Sequence, residues 1–359
     1  MKKITKTTAN NMVCYGLVIL FFVVMQILLS GGNVSSSLRG QLVPICCYVV
    51  MAISLNLTVG VLGELSLGHA AFMSVGAFAG AIACISLQSV IPVAAVRLAV
   101  GMLTGALCAG LAGVLIGIPV LRLKGDYLAI VTLAFGEIVK NIITCLYVGL
   151  DSAGLHFGFL TSISALGMEE GAKTIVNGPI GLAGISRIST FTSGIVLILI
   201  TLFIVLNLVN SRSGRAIMAL RDNRIAAESV GIPITKYKLM AFVTSAALAG
   251  AAGCLYAMNY STVVASTFNF NTSILVLVFV VLGGLGNMWG SMIAAALLTV
   301  LPELLREFND YRMLVYAIVL ILVMLATNNA AIRSFFVRIA NAVAELIGRS
   351  GAKGGQASE

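Results

Sequence analysis

Residues 61–73 read VLGELSLGHAAFM, and this stretch interrupts the apolar sequence on both sides of it. Glu64 and His69 lie among apolar neighbours, and a glycine directly precedes each of them. Glycine weakens a helix by about 0.8–1 kcal/mol relative to alanine. The stretch therefore predicts a break between two apolar segments.

The composition is that of a membrane protein. Of the 359 residues, 59% are hydrophobic and only 10% are charged, and the mean hydropathy is +1.06. A soluble domain normally carries about 25% charged residues. The chain therefore needs an apolar solvent, and we predict an all-α, polytopic membrane helical bundle of about eight to ten transmembrane helices.

Apolar segments that approach the ~20 residues needed to cross a bilayer define the predicted topology. They are 12–30, 42–60, 69–87, 93–119, 126–148, 190–209, 239–258, 272–287, 290–305 and 313–328. The distribution of Lys and Arg places the N- and C-termini in the cytoplasm. The prediction is a transmembrane domain over 1–328, with an extracytoplasmic loop at 149–189 and a cytoplasmic loop at 210–238. A basic and partly disordered cytoplasmic tail follows at 329–359.

Several functions are disfavoured by the sequence. The net charge of +9 comes from basic residues clustered between apolar runs, so no nucleic-acid partner is expected. No GxxxxGK[ST] phosphate loop occurs, and no GxSxG or HExxH motif argues for an enzyme. The seven cysteines and two histidines show no metal-binding spacing, so we expect no metal site and no cofactor in this chain.

The cytoplasmic loop contains RAIMALRDNRIAAESVGI at 215–232, which has helical spacing. It predicts a single cytoplasmic helix of about three turns, ended by Gly231 and Pro233. Arg224 and Glu228 are four residues apart and are predicted to pair on this helix. One interpretation is an interfacial helix that only anchors the loop to anionic lipid. The mixed acidic and basic face favours contact with a protein instead.

The ESVGIP run at 228–233 resembles the coupling loop of ABC importer permeases. The longer string RSGRAIMALRDNRIAAESVGIPITKYKLMAFVTSAALAGAAGCLYA, with further stretches at 54–81, 123–142 and 277–298, resembles permeases of branched-chain amino acid importers, the M-type subunit most closely. The resemblance implies residues that contact an ATPase: Arg221, Arg224, Glu228, Gly231 and Pro233.

The same resemblance implies a set of partners and a location. The partners are a second permease subunit in a heterodimer, two cytoplasmic ATPase subunits that bind ATP and Mg, and a soluble extracytoplasmic substrate-binding protein. The location is a bacterial inner membrane, and the implied activity is ATP-driven import of Leu, Ile and Val by alternating access. A urea or amide permease, a sugar permease and an ion-coupled secondary transporter remain alternatives.

Polar residues within the apolar segments, or in the break between two of them, are candidates for a translocation path, because a charge in a bilayer costs at least ~2.5 kcal/mol. Those selected are Asn56, Glu64, Ser66, His69, Thr132, Glu137 and Asn141. Glu137 and Lys140 are predicted to pair at i,i+3, and Thr132 and Asn141 to share their face. Glu64 in a short, solvated cytoplasmic turn is the alternative.

Two glycine-rich interruptions, one in each half of the chain, add to this prediction, because paired helix breaks point to a transport path. The predicted helix breaks are Gly63, Gly68, Gly283, Gly284 and Gly286. A helix that starts between Ser66 and His69 would direct free N–H groups towards a substrate carboxylate.

Overall fold

The computed structural model describes residues 6–31, 36–123, 125–151, 154–159 and 173–305, with five single residues between 314 and 321. The chain divides into two compact units, Met1–Val300 and Leu301–Glu359, and the site lies in the first. The helices, with a π-helical segment at Leu57–Leu62, are α1 (Lys6–Ser30), α2 (Ser36–Asn56), α3 (His69–Ser86), α4 (Ala94–Val120), α5 (Asp126–Thr144), α6 (Phe191–Asn210), α7 (Arg212–Asp222), α8 (Arg224–Ser229), α9 (Ile234–Ala257), α10 (Phe270–Gly283) and α11 (Met288–Leu304).

The predicted helical membrane bundle is confirmed. In the described part of the chain, seven helices are long and apolar enough to cross a membrane, and Cys14–Ser30 and Met288–Glu303 are shorter apolar helices. These nine correspond to the first nine predicted segments. The tenth, at 313–328, and the tail at 329–359 lie outside the described residues, apart from isolated positions.

A small β-sheet follows α5, and the sequence did not predict it. Its described strands are β1 (Leu146–Asp151), β2 (Gly154–Phe159), β3 (Lys173–Asn177) and β4 (Gly181–Leu182), in the order β2-β1-β3-β4. The predicted span at 126–148 is therefore wrong at its end, because α5 stops at Thr144. Residues 146–148 pair with β2 instead, as suits their aromatic and β-branched side chains.

Helices α3, α4 and α9 form the centre of the bundle, and glycines set their spacing. A Cβ atom on Gly76 of α3 would lie 2.2 Å from the Cα atom of Gly250 of α9. Membrane helices approach this closely only where small residues meet, because no hydrophobic force drives them together in lipid.

The loops meet in two groups, in agreement with the predicted sidedness. On the predicted outer side, Leu182 of β4 bridges to Val263, between α9 and α10. On the predicted cytoplasmic side, Arg221 of α7 bonds Gly60 in the π-helical segment, and Gly286 of the α10–α11 turn bonds Asn56 at the end of α2.

Candidate functional site

The break predicted from the opening stretch separates α2 from α3. The helix that begins as α2 ends in the π-helical segment Leu57–Leu62, whose six residues are all buried. Gly63 then adopts a left-handed conformation with φ +80°, and residues 63–68 are not helical. Helix α3 begins at His69, within the predicted range. π-Helical turns are rare and occur frequently at functional sites.

Residues 63–68 run into the bundle. Glu64 pairs with Lys238, near the start of α9. His69 instead bonds Ser54 of α2, whose carbonyl accepts from Ser245 of α9. Because Ser245 lies seven residues beyond Lys238, the segment rises by about 10 Å along α9. Glu64 is therefore not a freely solvated carboxylate, although Leu65 beside it is 37% exposed, and further along the segment Ser66 and His69 are each only 2% exposed.

Side chains from three other helices satisfy polar groups at the start of α3. The His69 Nε2 atom lies 2.8 Å from the Ser54 Oγ atom. The backbone N–H of Leu67 donates to the Thr132 hydroxyl of α5 at 3.0 Å. The backbone N–H of Ala70 donates to the Ser273 hydroxyl of α10 at 3.1 Å. A non-helical segment inside a membrane is tolerated when its backbone groups find such partners.

Glu64 forms a buried ion pair with Lys238. The Glu64 side chain is 17% exposed and that of Lys238 is 5% exposed. The lysine lies in the first turns of α9, at the predicted cytoplasmic end. The pair therefore neutralises the carboxylate and ties the break to α9.

The two glycine-rich interruptions meet at Asn56. The buried Asn56 amide donates to the Ser291 hydroxyl of α11 at 2.9 Å and accepts from the backbone N–H of Gly286 at 2.8 Å. A Cβ atom on Gly60 would lie 1.9 Å from the Asn56 Oδ1 atom and 2.2 Å from the Gly286 nitrogen. The sequence predicted two separate breaks, and the structure packs one against the other.

The predicted break glycines occupy different local roles. Gly284 and Gly286 have φ values of +93° and +80° and form the turn between α10 and α11. Gly283 is the last residue of α10. Gly68 directly precedes α3, where a Cβ atom would lie 2.2 Å from the Thr132 carbonyl oxygen. The turn thus requires left-handed backbone, whereas Gly68 permits close approach to α5.

Helix α5 carries the predicted pair of Glu137 and Lys140, and the two side chains are in contact. The prediction that Thr132 and Asn141 share one face is wrong, because Thr132 is buried and Asn141 is exposed. Nine residues separate them, which places them on opposite sides of an α-helix. A cavity of about 10 Å³ borders Glu137. It has room for about one water.

The cytoplasmic loop folds as two short helices, so the prediction of a single helix is wrong. Asn223 is extended, with φ −154°, and its side chain accepts from the backbone N–H of Ala226 at 3.0 Å. Asn223 therefore ends α7 and serves as the N-cap of a separate helix, α8, because asparagine is among the best N-cap residues. The predicted end is confirmed: Gly231 is left-handed, with φ +82°, and α9 begins directly after Pro233.

The predicted ion pair within this loop is also wrong. Arg224 and Glu228 are both described, and no ion pair joins them. Arg221 instead binds Asp222 at 3.2 Å, and its guanidinium donates to the carbonyl of Gly60 at 2.9 Å. Helix α8 leaves Ile225 81% exposed, and Val230 directly after it is 75% exposed.

The residues that complete the site could not be selected from the sequence. Ser54, Ser273 and Ser291 are ordinary small residues of apolar helices, where serine commonly bonds within its own turn. In the sequence, Lys238 is one of several basic residues near the start of a span, and nothing marks it as the partner of Glu64. Asn56 and Ser291 are 235 positions apart, so only the folded chain brings them together.

A multi-pass bundle with a broken, polar-lined helix and an exposed inner loop of two short helices defines a membrane transport protein. Residues 38–324 match the family described as the branched-chain amino acid transport system permease component. The chain belongs to this family. The prediction of a multi-pass bacterial inner-membrane protein is confirmed by this membership together with the apolar helices.

Curated relatives agree with this assignment. The chain is 36% identical over 294 residues to the high-affinity branched-chain amino acid transport system permease protein LivM of Salmonella typhimurium and to that of Escherichia coli. Each match covers 77% of this chain and 66% of the relative, so the chain spans just under two thirds of those proteins.

A more distant relative is the fructose import permease protein FruG of Bifidobacterium longum. It is 27% identical over 131 residues, which cover 35% of this chain and 38% of that protein. No solved structure gives a significant match.

Proposed function

We propose that this chain is a permease subunit of an ATP-driven ABC importer that moves leucine, isoleucine and valine across the inner membrane by alternating access. The exposed surface of α8 carries this proposal. Ile225 and Val230 present apolar side chains on the predicted cytoplasmic side, where they are 81% and 75% exposed. A protein partner that covers them explains their exposure. The LivM relatives are named for branched-chain amino acid transport, which favours this substrate class.

The partners we propose are those of an importer. Two ATPase subunits bind ATP and Mg, and one of them contacts α8 through Arg224, Glu228 and the turn at Gly231 and Pro233. Gly231 supports this arrangement, since its left-handed backbone ends the helical turn of α8 at a fixed position and turns the chain sharply towards α9. A soluble extracytoplasmic binding protein delivers the substrate to the outer side.

A second permease subunit completes the path. The Glu137 side chain is 38% exposed and that of Lys140 is 25% exposed, within a helix that is apolar enough to span the membrane. Contact between this ion pair and lipid is costly, so we infer that the second permease covers this face. Glu137 and Asn141 then line the path between the subunits, while Asn56, Glu64, Ser66, His69 and Thr132 hold the break that borders it.

Reconstitution with the proposed partners tests the function. The chain, the second permease and the ATPases are placed in proteoliposomes with the binding protein outside. We expect leucine-loaded binding protein to stimulate ATP hydrolysis and leucine uptake. Isoleucine and valine should compete for uptake, whereas fructose and urea should not. Leucine uptake by the chain alone, driven by an ion gradient, would contradict the proposal and favour a secondary transporter.

Replacing Ile225 with Asp should abolish docking of the ATPase. A carboxylate at the centre of an apolar contact leaves a buried charge without a partner, which typically costs several kcal/mol. We expect ATPase recovered with the purified permease to fall by more than about tenfold, which corresponds to 1.4 kcal/mol. Val90→Asp is the matched control, because Val90 is 72% exposed on the predicted outer side. Equal recovery with both variants would show that α8 is not the docking surface.

A further inference from the structure

Arg221 reaches from the cytoplasmic loop into the break. Its guanidinium donates to the carbonyl of Gly60 at 2.9 Å, across 161 positions of sequence. Two further nitrogens of the same group bond the Asp222 carboxylate at 3.2 Å, which fixes the plane of the guanidinium. The aliphatic part of the side chain covers Gly63, where a Cβ atom would lie 2.5 Å from the Arg221 Cγ atom.

The carbonyl that Arg221 binds belongs to the π-helical segment. A π-helix bonds residue i to residue i+5, whereas an α-helix bonds i to i+4. A π segment therefore holds an extra residue, and its conversion to α-helix would shift the register of the following chain by about 1.5 Å and 100°. Residues 63–68 and His69 follow this segment directly. A small movement at Gly60 would therefore change the position and rotation of the chain at the start of α3.

The π-helical segment is held on its other sides by firm contacts. Asn56 fixes its start to Gly286 and Ser291, and the Glu64–Lys238 pair fixes the residue that follows Gly63. The bond from Arg221 is different, because it comes from the exposed cytoplasmic loop and the arginine remains 40% exposed. Of these four contacts, it is the one that links the break to the surface we propose for the ATPase.

We propose that Arg221 is a positioning residue that transmits movement of α7 and α8 to the π-helical segment and, through residues 63–68, to the start of α3 at His69. This inference rests on the proposed function, since the movement comes from the ATPases. It assigns Arg221 a partner inside the permease, whereas the sequence had suggested only contact with the ATPase. Arg224 and Glu228 remain the residues that face the ATPase.

Replacement of Arg221 with Met tests the inference, because methionine keeps the aliphatic packing on Gly63 and removes the donors. Arg215→Met is the control, since Arg215 is an exposed arginine of the same helix whose contact is local, to the carbonyl of Asn210. We expect Arg221→Met to keep ATPase binding and ATP hydrolysis, and to lower leucine transported per ATP hydrolysed about tenfold, within the usual range of coupling between sites. Arg221→Lys should recover part of this loss.

Hydrogen exchange separates transmission from a structural role. In wild type and in Arg215→Met, addition of ATP to the reconstituted complex should change the exchange of the peptide 57–70. In Arg221→Met the same peptide should exchange alike with and without ATP. An ATP-dependent change in Arg221→Met equal to that of wild type, or an unchanged transport-to-hydrolysis ratio, would overturn the inference.

The same experiment distinguishes this inference from the proposed function. If the wild-type chain binds no ATPase and shows no ATP-dependent uptake, the importer function fails. If wild type and Arg215→Met couple normally and Arg221→Met does so too, the function stands and only the role of Arg221 fails.

Discussion

Glu64→Gln should destabilise the chain by about 3–5 kcal/mol, the usual cost of breaking a buried ion pair by removing one partner. The substitution leaves Lys238 charged while its side chain is only 5% exposed. The loss is measured as a shift in the unfolding midpoint of the purified chain when the denaturing detergent is increased in mixed micelles.

Two further variants isolate the ion pair. Asp222→Asn removes a carboxylate from the pair with Arg221 in the cytoplasmic loop, whose side chains are 68% and 40% exposed, so we expect it to cost about 1 kcal/mol or less. The double variant Glu64→Gln with Lys238→Met removes both charges and should recover most of the stability, because apolar replacement of a buried pair is often neutral. A double variant as unstable as Glu64→Gln would show that packing, and not charge, is lost.

The membrane helices could be predicted from the sequence because lipid leaves the backbone little choice. A segment in the bilayer must satisfy its own N–H and C=O groups, so a long apolar run becomes a helix. The same argument failed at residues 146–148, where the apolar run continues but the chain has left the helix. Hydropathy does not distinguish a membrane helix from a strand of a small outer sheet.

The break at 63–68 could also be predicted, because glycine beside a polar residue is a local signal. Its depth could not, since that depends on partners far away in sequence, such as Thr132 and Ser273. The split between α7 and α8 carried a local signal that helical periodicity concealed. Asn223 is a strong N-cap residue, and its preference for extended backbone outweighed the regular spacing on either side.

The spacing of the central helices depends on contacts that no local pattern reports. Glycines are frequent in membrane helices, so the sequence alone does not show which of them have a neighbour against the Cα atom. The structure separates them. On Gly250 a Cβ atom would lie 2.4 Å from the Ala109 Cβ atom and 2.5 Å from the carbonyl oxygen of Gly105. On Gly110 the nearest atom, the Ala247 Cβ atom, would be 3.5 Å away.

Gly250→Ala should therefore cost about 3 kcal/mol, the upper part of the usual range for overpacking. The clash with the carbonyl oxygen of Gly105 cannot be relieved by a side-chain rotation, so α4 and α9 must move apart and lose contact along their length. Gly110→Ala is the control, because it adds the same methyl group to the same pair of helices, on α4 instead of α9. It should leave stability unchanged or raise it by up to about 1 kcal/mol, because alanine favours the helix. Equal unfolding midpoints for the two variants in mixed micelles would mean that these helices are not held at the distance that Gly250 permits.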